Sequence, residues 1–281
     1  MPMNKLQRGF TLIELVMVIV ILGVVGSMVA VFMRAPIDAY FDAGRRAALT
    51  DVADTALRRM ARDIQRALPN SIRTNAAGTC IEFIPTRTGG RYRVQDIVAG
   101  DNSSLDFAVN DNRFNMLGTN AALPANEQIQ ANDLIAVYNL GIPGADAYAG
   151  NNTALVTGVA DVGGEARINI ANTRFPFQSP NNRFHVIPNE EPIVSYVCAG
   201  GVLFRNTNYG FGLPQSCPAA APAAPGTRSI MANNAAACAF IYNINVDLQR
   251  NALVQMTLQL SNANATEAVN LYHEVHVNNT P

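Results

Sequence analysis

Apolar and polar positions divide the chain into three regions. Residues 10–33 are uncharged except for Glu14. These 24 residues would make a helix of roughly 36 Å, enough to cross a bilayer with some tilt. Ala35-Pro36 interrupts the run; proline removes a donor and disfavours helical geometry before it, so a kink or short melted stretch is predicted near residues 34–38. Beyond it, Leu49, Val52, Ala53, Ala56, Leu57, Met60, Ile64 and Leu68 recur every three or four residues and make one apolar face. Asp42 with Arg46, Asp54 with Arg58, and Arg59 with Asp63 are spaced for ion pairs on the other faces. Leu68-Pro69-Asn70 ends this second helical segment.

The third region alternates over short stretches. Strands are predicted over residues 80–84, 105–109, 134–138, 154–159, 166–170, 193–198, 202–205 and 239–247, with a closing pair at 253–260 and 269–277. Val254, Met256, Leu258 and Leu260 alternate with polar residues, giving one buried face, and a turn over 261–267 makes the closing pair an antiparallel hairpin. Long Asn/Gly/Pro-rich loops are expected at 110–132, 141–152 and 172–192, and an Ala/Pro-biased surface loop at 214–237.

Charge and composition then narrow the class. The formal net charge is −1 over 281 residues, so no global field draws the chain to nucleic acid. Arg45, Arg46, Arg58, Arg59, Arg62 and Arg66 are interleaved with aspartates and read as a solvated or subunit-facing surface rather than a nucleic-acid stripe. Lys5 and Arg8 precede the apolar run, and no lysine follows them. The positive-inside rule therefore puts the bulk of the chain outside the cytoplasm, where the last roughly 200 residues are ample for one globular domain.

Glu14 is the anomaly. A charge inside hydrocarbon costs about 2.5–3.5 kcal/mol on insertion scales and is usually paired, yet nothing within its own segment can pair with it. A secretory signal has a shorter apolar core and a small-x-small cleavage site after it, and a plain anchor leaves the position of Glu14 unexplained. Residues Arg8-Gly9-Phe10-Thr11-Leu12-Ile13-Glu14 resemble the processing motif of type IV pilins and pseudopilins: a short basic leader ending in glycine, then Phe-Thr-Leu-Ile-Glu and an unbroken apolar helix. The resemblance implies cleavage by a prepilin peptidase after Gly9 and N-methylation of Phe10. Glu14 then takes the family's assembly position, where the Phe10 ammonium of one subunit neutralises Glu14 of its neighbour inside the membrane.

The same resemblance implies an α+β, pilin-like fold: a leader over 1–9, a transmembrane assembly helix over 10–34, its amphipathic continuation over 35–70, and a β-rich extracytoplasmic domain with antiparallel sheet and long loops over 71–281. Residues 47–64 and 67–71, the stretch 197–205 and the closing 271–281 are similar to large minor pilins of the J/W type, and among them to the O-type subunits of MSHA pilus biogenesis. The implied function is a minor pilin that joins, and primes, a filament near its tip. The implied partners are other major and minor pilins, the prepilin peptidase, an inner-membrane assembly platform and the inner membrane itself, with no small-molecule substrate, nucleic acid or cofactor. A J-type pseudopilin of type II secretion is the alternative, as is a tip module binding a surface ligand or DNA through the aromatic-bearing loop 206–211.

Four cysteines lack CxxC spacing, so structural zinc is not expected. In an exported domain an even count points to two disulfides. Cys198–Cys238 with Cys80–Cys217 is the favoured set, and Cys217–Cys238 with Cys80–Cys198 remains open. Catalytic signals are weak. His273 and His276 are three apart in a strand and face opposite sides, and His185 stands alone among apolar residues. Glu190 and Glu191 are candidates for calcium, but the oxygen-rich spacing of a calcium loop is missing and a solvated acidic turn is the plainer reading. No phosphate loop, nucleophile elbow or HExxH is present, and no enzyme activity is expected.

Overall fold

A computed structural model describes residues 9–242, 251–262, 264 and 267–281. Residues 1–8 of the leader expected over 1–9, residues 243–247 of one predicted strand, and residues 263, 265 and 266 of the closing turn lie outside the described residues. The chain divides into two compact units, Met1–Ala48 and Leu49–Pro281. Helix α1 (Leu12–Gln65) begins in the first and ends in the second. It runs through Pro36 without the melted stretch expected at 34–38. A proline deletes one bond of the i→i−4 ladder, and a helix this long keeps its remaining bonds on either side.

In the second unit α1 buries Ala53, Ala56, Leu57, Met60, Ala61 and Ile64. Val52, expected on this face, points outward and Ala61 takes the inward place. The helix stops at Gln65 rather than Leu68 because the next residues enter sheet-like pairing: Thr86 N–H donates to Arg66 C=O (2.8 Å) and Leu68 N–H to Ile84 C=O (2.7 Å). Of the expected ion pairs, Asp54–Arg58 forms at 2.7 Å. Asp42 pairs with Arg45, and Asp63 turns toward the sheet to meet Arg205.

Among the described residues fourteen strands follow: β1 (Arg73–Thr74), β2 (Cys80–Phe83), β3 (Thr88–Arg91), β4 (Asp111–Met116), β5 (Leu134–Val137), β6 (Thr153–Val162) and β7 (Glu165–Thr173). The rest are β8 (Arg183–Ile187), β9 (Val194–Ala199), β10 (Val202–Thr207), β11 (Thr227–Asn233), β12 (Ala235–Tyr242), β13 (Asn251–Ser261) and β14 (Ala268–Asn278). All pair antiparallel. One sheet has the order β1-β2-β9-β10-β11 and a second the order β12-β13-β14. Both pack on the buried face of α1, with Val254, Met256, Leu258 and Leu260 of β13 all turned into this core. Two Gly-Gly pairs make the tightest hairpins. Gly200-Gly201 joins β9 to β10 and Gly163-Gly164 joins β6 to β7, all four at positive φ, as a two-residue type I′ turn requires.

The third sheet, β3-β8-β5-β6-β7-β4, comes entirely from between β2 and β9, which are themselves neighbours. It is therefore an insertion in the main sheet. Its outer members meet: Tyr92 bridges Met116, Leu117 N–H donates to Arg91 C=O and Arg93 N–H to Asn115 C=O, both at 2.9 Å. Closure of this kind removes the free edges of a sheet. Phe114, Ile135, Val156, Ile168, Phe184 and Val186 fill the interior, apart from the core under α1.

The insertion overturns several expectations. Residues 105–109 form no strand; Leu105 and Phe107 instead plug the barrel core from a loop. β4 and β8 lie in expected loops, and β11 in the expected Ala/Pro loop. β3 reads Thr-Gly-Gly-Arg and has no apolar side chain to announce it.

Candidate functional site

The N-terminal segment is assembled by helix-capping chemistry. Thr11 precedes α1, and its side-chain oxygen accepts from Glu14 N–H at 3.4 Å, while its carbonyl accepts from Glu14 and Leu15 N–H at 3.1 Å. Thr11-x-x-Glu14 thus has the spacing of a capping box, and Glu14 lies in the first turn, where the helix dipole favours a carboxylate. Among the described residues, nothing lies within 4 Å of a side chain added at Gly9. Packing against those residues therefore does not demand glycine there. Phe10 is 80% exposed, and the apolar residues from Leu12 to Met33 are exposed with it. The apolar part of α1 is long enough to cross a membrane and no residue of its most apolar window is buried within the protein, which supports membrane anchoring.

All four cysteines are bridged, Cys80 to Cys217 and Cys198 to Cys238. The first ties β2 to the long loop before β11, and the second joins β9 to β12 across two sheets. Glu190 and Glu191 are each taken by an arginine: Glu190 accepts from Arg87 at 2.5 and 2.6 Å, and Glu191 from Arg205 at 2.6 and 2.8 Å. Among the described residues no three His, Cys, Asp or Glu side chains gather as a metal site would need. His273 and His276 lie on opposite faces of β14, one partly buried and one exposed.

Loop 206–211 does not offer the aromatic surface expected of it. Asn206 is fully buried, Tyr209 donates its hydroxyl to Glu82 at 2.7 Å, and the Phe211 ring meets Tyr148 edge-on. These rings help cover the seam between the barrel and the main sheet.

Sequence reasoning missed the buried charges that fasten this seam. Arg87 holds Asp133 as well as Glu190. Arg73 holds the fully buried Glu82, and Arg205 reaches both Asp63 and Glu191. Arg73 and Glu82 face each other across the β1–β2 hairpin, which no predicted strand pair included, and the other pairs join residues brought together only by the fold. Burial, and then the nearby carboxylates, push the phenols of Tyr148 and Tyr209 (Glu82) and Tyr196 (Asp63) well above the usual range. They are therefore fixed hydrogen-bond donors: Tyr148 to Ser71 C=O at 2.8 Å and Tyr196 to Asp63 at 2.7 Å. Burial first, and Arg183 second, lower His185 to about 4, leaving it neutral at pH 7.

Among known families, the model described as the prokaryotic N-terminal methylation motif matches residues 4–30. No curated protein matches the chain, and no solved structure does. The matched motif, which runs into the exposed apolar helix and is followed by a β-rich domain, supports a type IV pilin-like protein.

Proposed function

We propose that this chain is a minor subunit of a type IV filament of the MSHA kind, seated near the tip, where it primes assembly. In this reading a prepilin peptidase cuts after Gly9 and Phe10 is N-methylated. The apolar half of α1 holds the subunit in the inner membrane until the assembly platform transfers it among other major and minor pilins. One observation carries the proposal: Gly9, Phe10 and Glu14 head an apolar helix segment whose side chains are exposed among the described residues. Burying that surface among neighbouring helices supplies cohesion at about 25 cal/mol per Å2. Glu14 supplies axial register by meeting the Phe10 ammonium of an adjacent subunit.

Glu14→Gln is the sharpest test, because Gln keeps the capping-box side chain and removes only the charge. Losing one partner of a buried pair costs about 3–5 kcal/mol. The variant is expected at normal level in the inner membrane, processed, and absent from sheared filaments. Incorporation equal to wild type would overturn the register mechanism. Deleting the chain is expected to reduce filaments and leave type II secretion intact; the reverse outcome would move it to the secretion machine.

A further inference from the structure

On the barrel, β3 and β8 pair with Arg91 directly opposite Arg183 and Gly89 directly opposite His185. Period-two alternation places these four on the outer face. Gly90 points inward, where an added Cβ would meet the Met116 sulfur and the Phe184 ring at 2.7–2.9 Å. Like charges directly opposite destabilise a strand pair, and neither arginine has an acidic partner among the described residues. Arg73, Arg87, Arg93 and Arg205, by contrast, each hold a carboxylate.

The two free guanidiniums flank a depression of about 290 Å3 with Gly89, Gly90 and His185 in its wall. A Cβ on residue 89 would lie 3.0 Å from the Phe184 carbonyl oxygen and 3.3 Å from His185 Nδ1, so glycine keeps the wall low beside the imidazole. His185 Nε2 is shut off from solvent without a hydrogen-bond partner. Arg91 also borders a second depression of about 300 Å3, whose wall includes Gln95, Asn182, Val94 and Leu117. Val94 and Leu117 are half exposed.

We infer that this seam binds an acidic saccharide, its carboxylate held between Arg91 and Arg183 and its hydroxyls met by the amides of Gln95 and Asn182. Val94 and Leu117 receive the apolar face of the sugar ring. Charge complementarity calls for an anion, and planar guanidiniums suit a carboxylate. A single-stranded nucleic acid would need exposed aromatic platforms, but the local rings, Tyr92 and Phe184, are buried. An extended acidic peptide would need an open sheet edge, and the β3 edge is taken by the closure onto β4.

The test is calorimetric titration of the detergent-solubilised full chain with tri-galacturonate, its neutral methyl ester, and sodium sulfate. Tri-galacturonate is expected to bind, more weakly as salt rises, and the ester is not. Arg91→Gln and Arg183→Gln should each weaken Kd about tenfold, the loss of a charge-assisted contact, with melting temperatures unchanged or slightly raised as the like-charge opposition is relieved. Arg91→Lys and Arg183→Lys, which keep charge but not the planar fork, should fall between. Equal binding of acid and ester, wild-type binding by the Gln variants, or sulfate binding as tight as the saccharide would each overturn the inference.

Discussion

Arg205 connects three parts of the second unit, and replacing it tests how they are held together. Its Nε donates to Asp63 at 2.9 Å, and its two terminal nitrogens grip Glu191 at 2.6 and 2.8 Å. Asp63 belongs to the last turns of α1, Glu191 to the strap returning from the barrel, and Arg205 to β10. The arginine side chain is 10% exposed, Asp63 26% and Glu191 35%. Arg205→Met keeps the aliphatic stem and strands both acids. A fully buried pair broken in this way costs about 3–5 kcal/mol. Glu191 can rehydrate and Asp63 keeps the Tyr196 hydroxyl, so screening lowers the expectation to about 2 kcal/mol. Urea denaturation followed by near-ultraviolet circular dichroism, in which the eight tyrosines report, measures it directly. The double change Arg205→Met with Asp63→Asn should then cost at least about 1 kcal/mol less than the sum of the single changes, since the groups share one network. A loss below about 0.5 kcal/mol for Arg205→Met, or strict additivity, would refute the coupling.

Two further predictions concern stability. No cysteine should react with a thiol reagent before reduction. Replacing the Cys80–Cys217 or Cys198–Cys238 pair by serines should cost up to about 5 and about 4 kcal/mol, from loop closure over 137 and 40 residues; free thiol in the unreduced protein would contradict both bridges. His185 takes up its proton near 6.5 when unfolded and only near 4 when folded. Stability from this group is therefore complete above pH 6.5 and declines as pH falls toward 4, by about 3 kcal/mol. His185→Gln should flatten that limb of the urea midpoint profile, and an unchanged profile would exclude His185 as its cause.

What the sequence made legible follows how local each feature is. Residues Gly9 to Glu14 are contiguous and lie within the matched N-terminal motif, so that resemblance could be read without the fold. The inward face of α1 and the alternation of Val254 to Leu260 carry their period openly, and both core faces follow from it. The barrel has no such signature. Thr88-Gly-Gly-Arg91 contributes a strand without apolar residues, and β4 breaks its apolar pattern with Asn112, Arg113 and Asn115. Closure depends on Tyr92 meeting Met116, a contact with no local cue. Arg183-Phe-His-Val-Ile187 did alternate, and the asparagines and prolines around it concealed the strand. Glu190 and Glu191 read as a solvated acidic turn because Arg87 and Arg205, which claim them, are distant in sequence.

The central claim is that the chain is made as a precursor and matured at one bond. N-terminal sequencing and intact-mass measurement of the protein extracted from the inner membrane test it most directly. The account predicts a mature chain beginning at Phe10 with one added methyl group, and a Gly9→Ser variant that keeps its leader. A wild-type protein still beginning at Met1, or cut instead near Ser27 as a secretory signal would be, would contradict it.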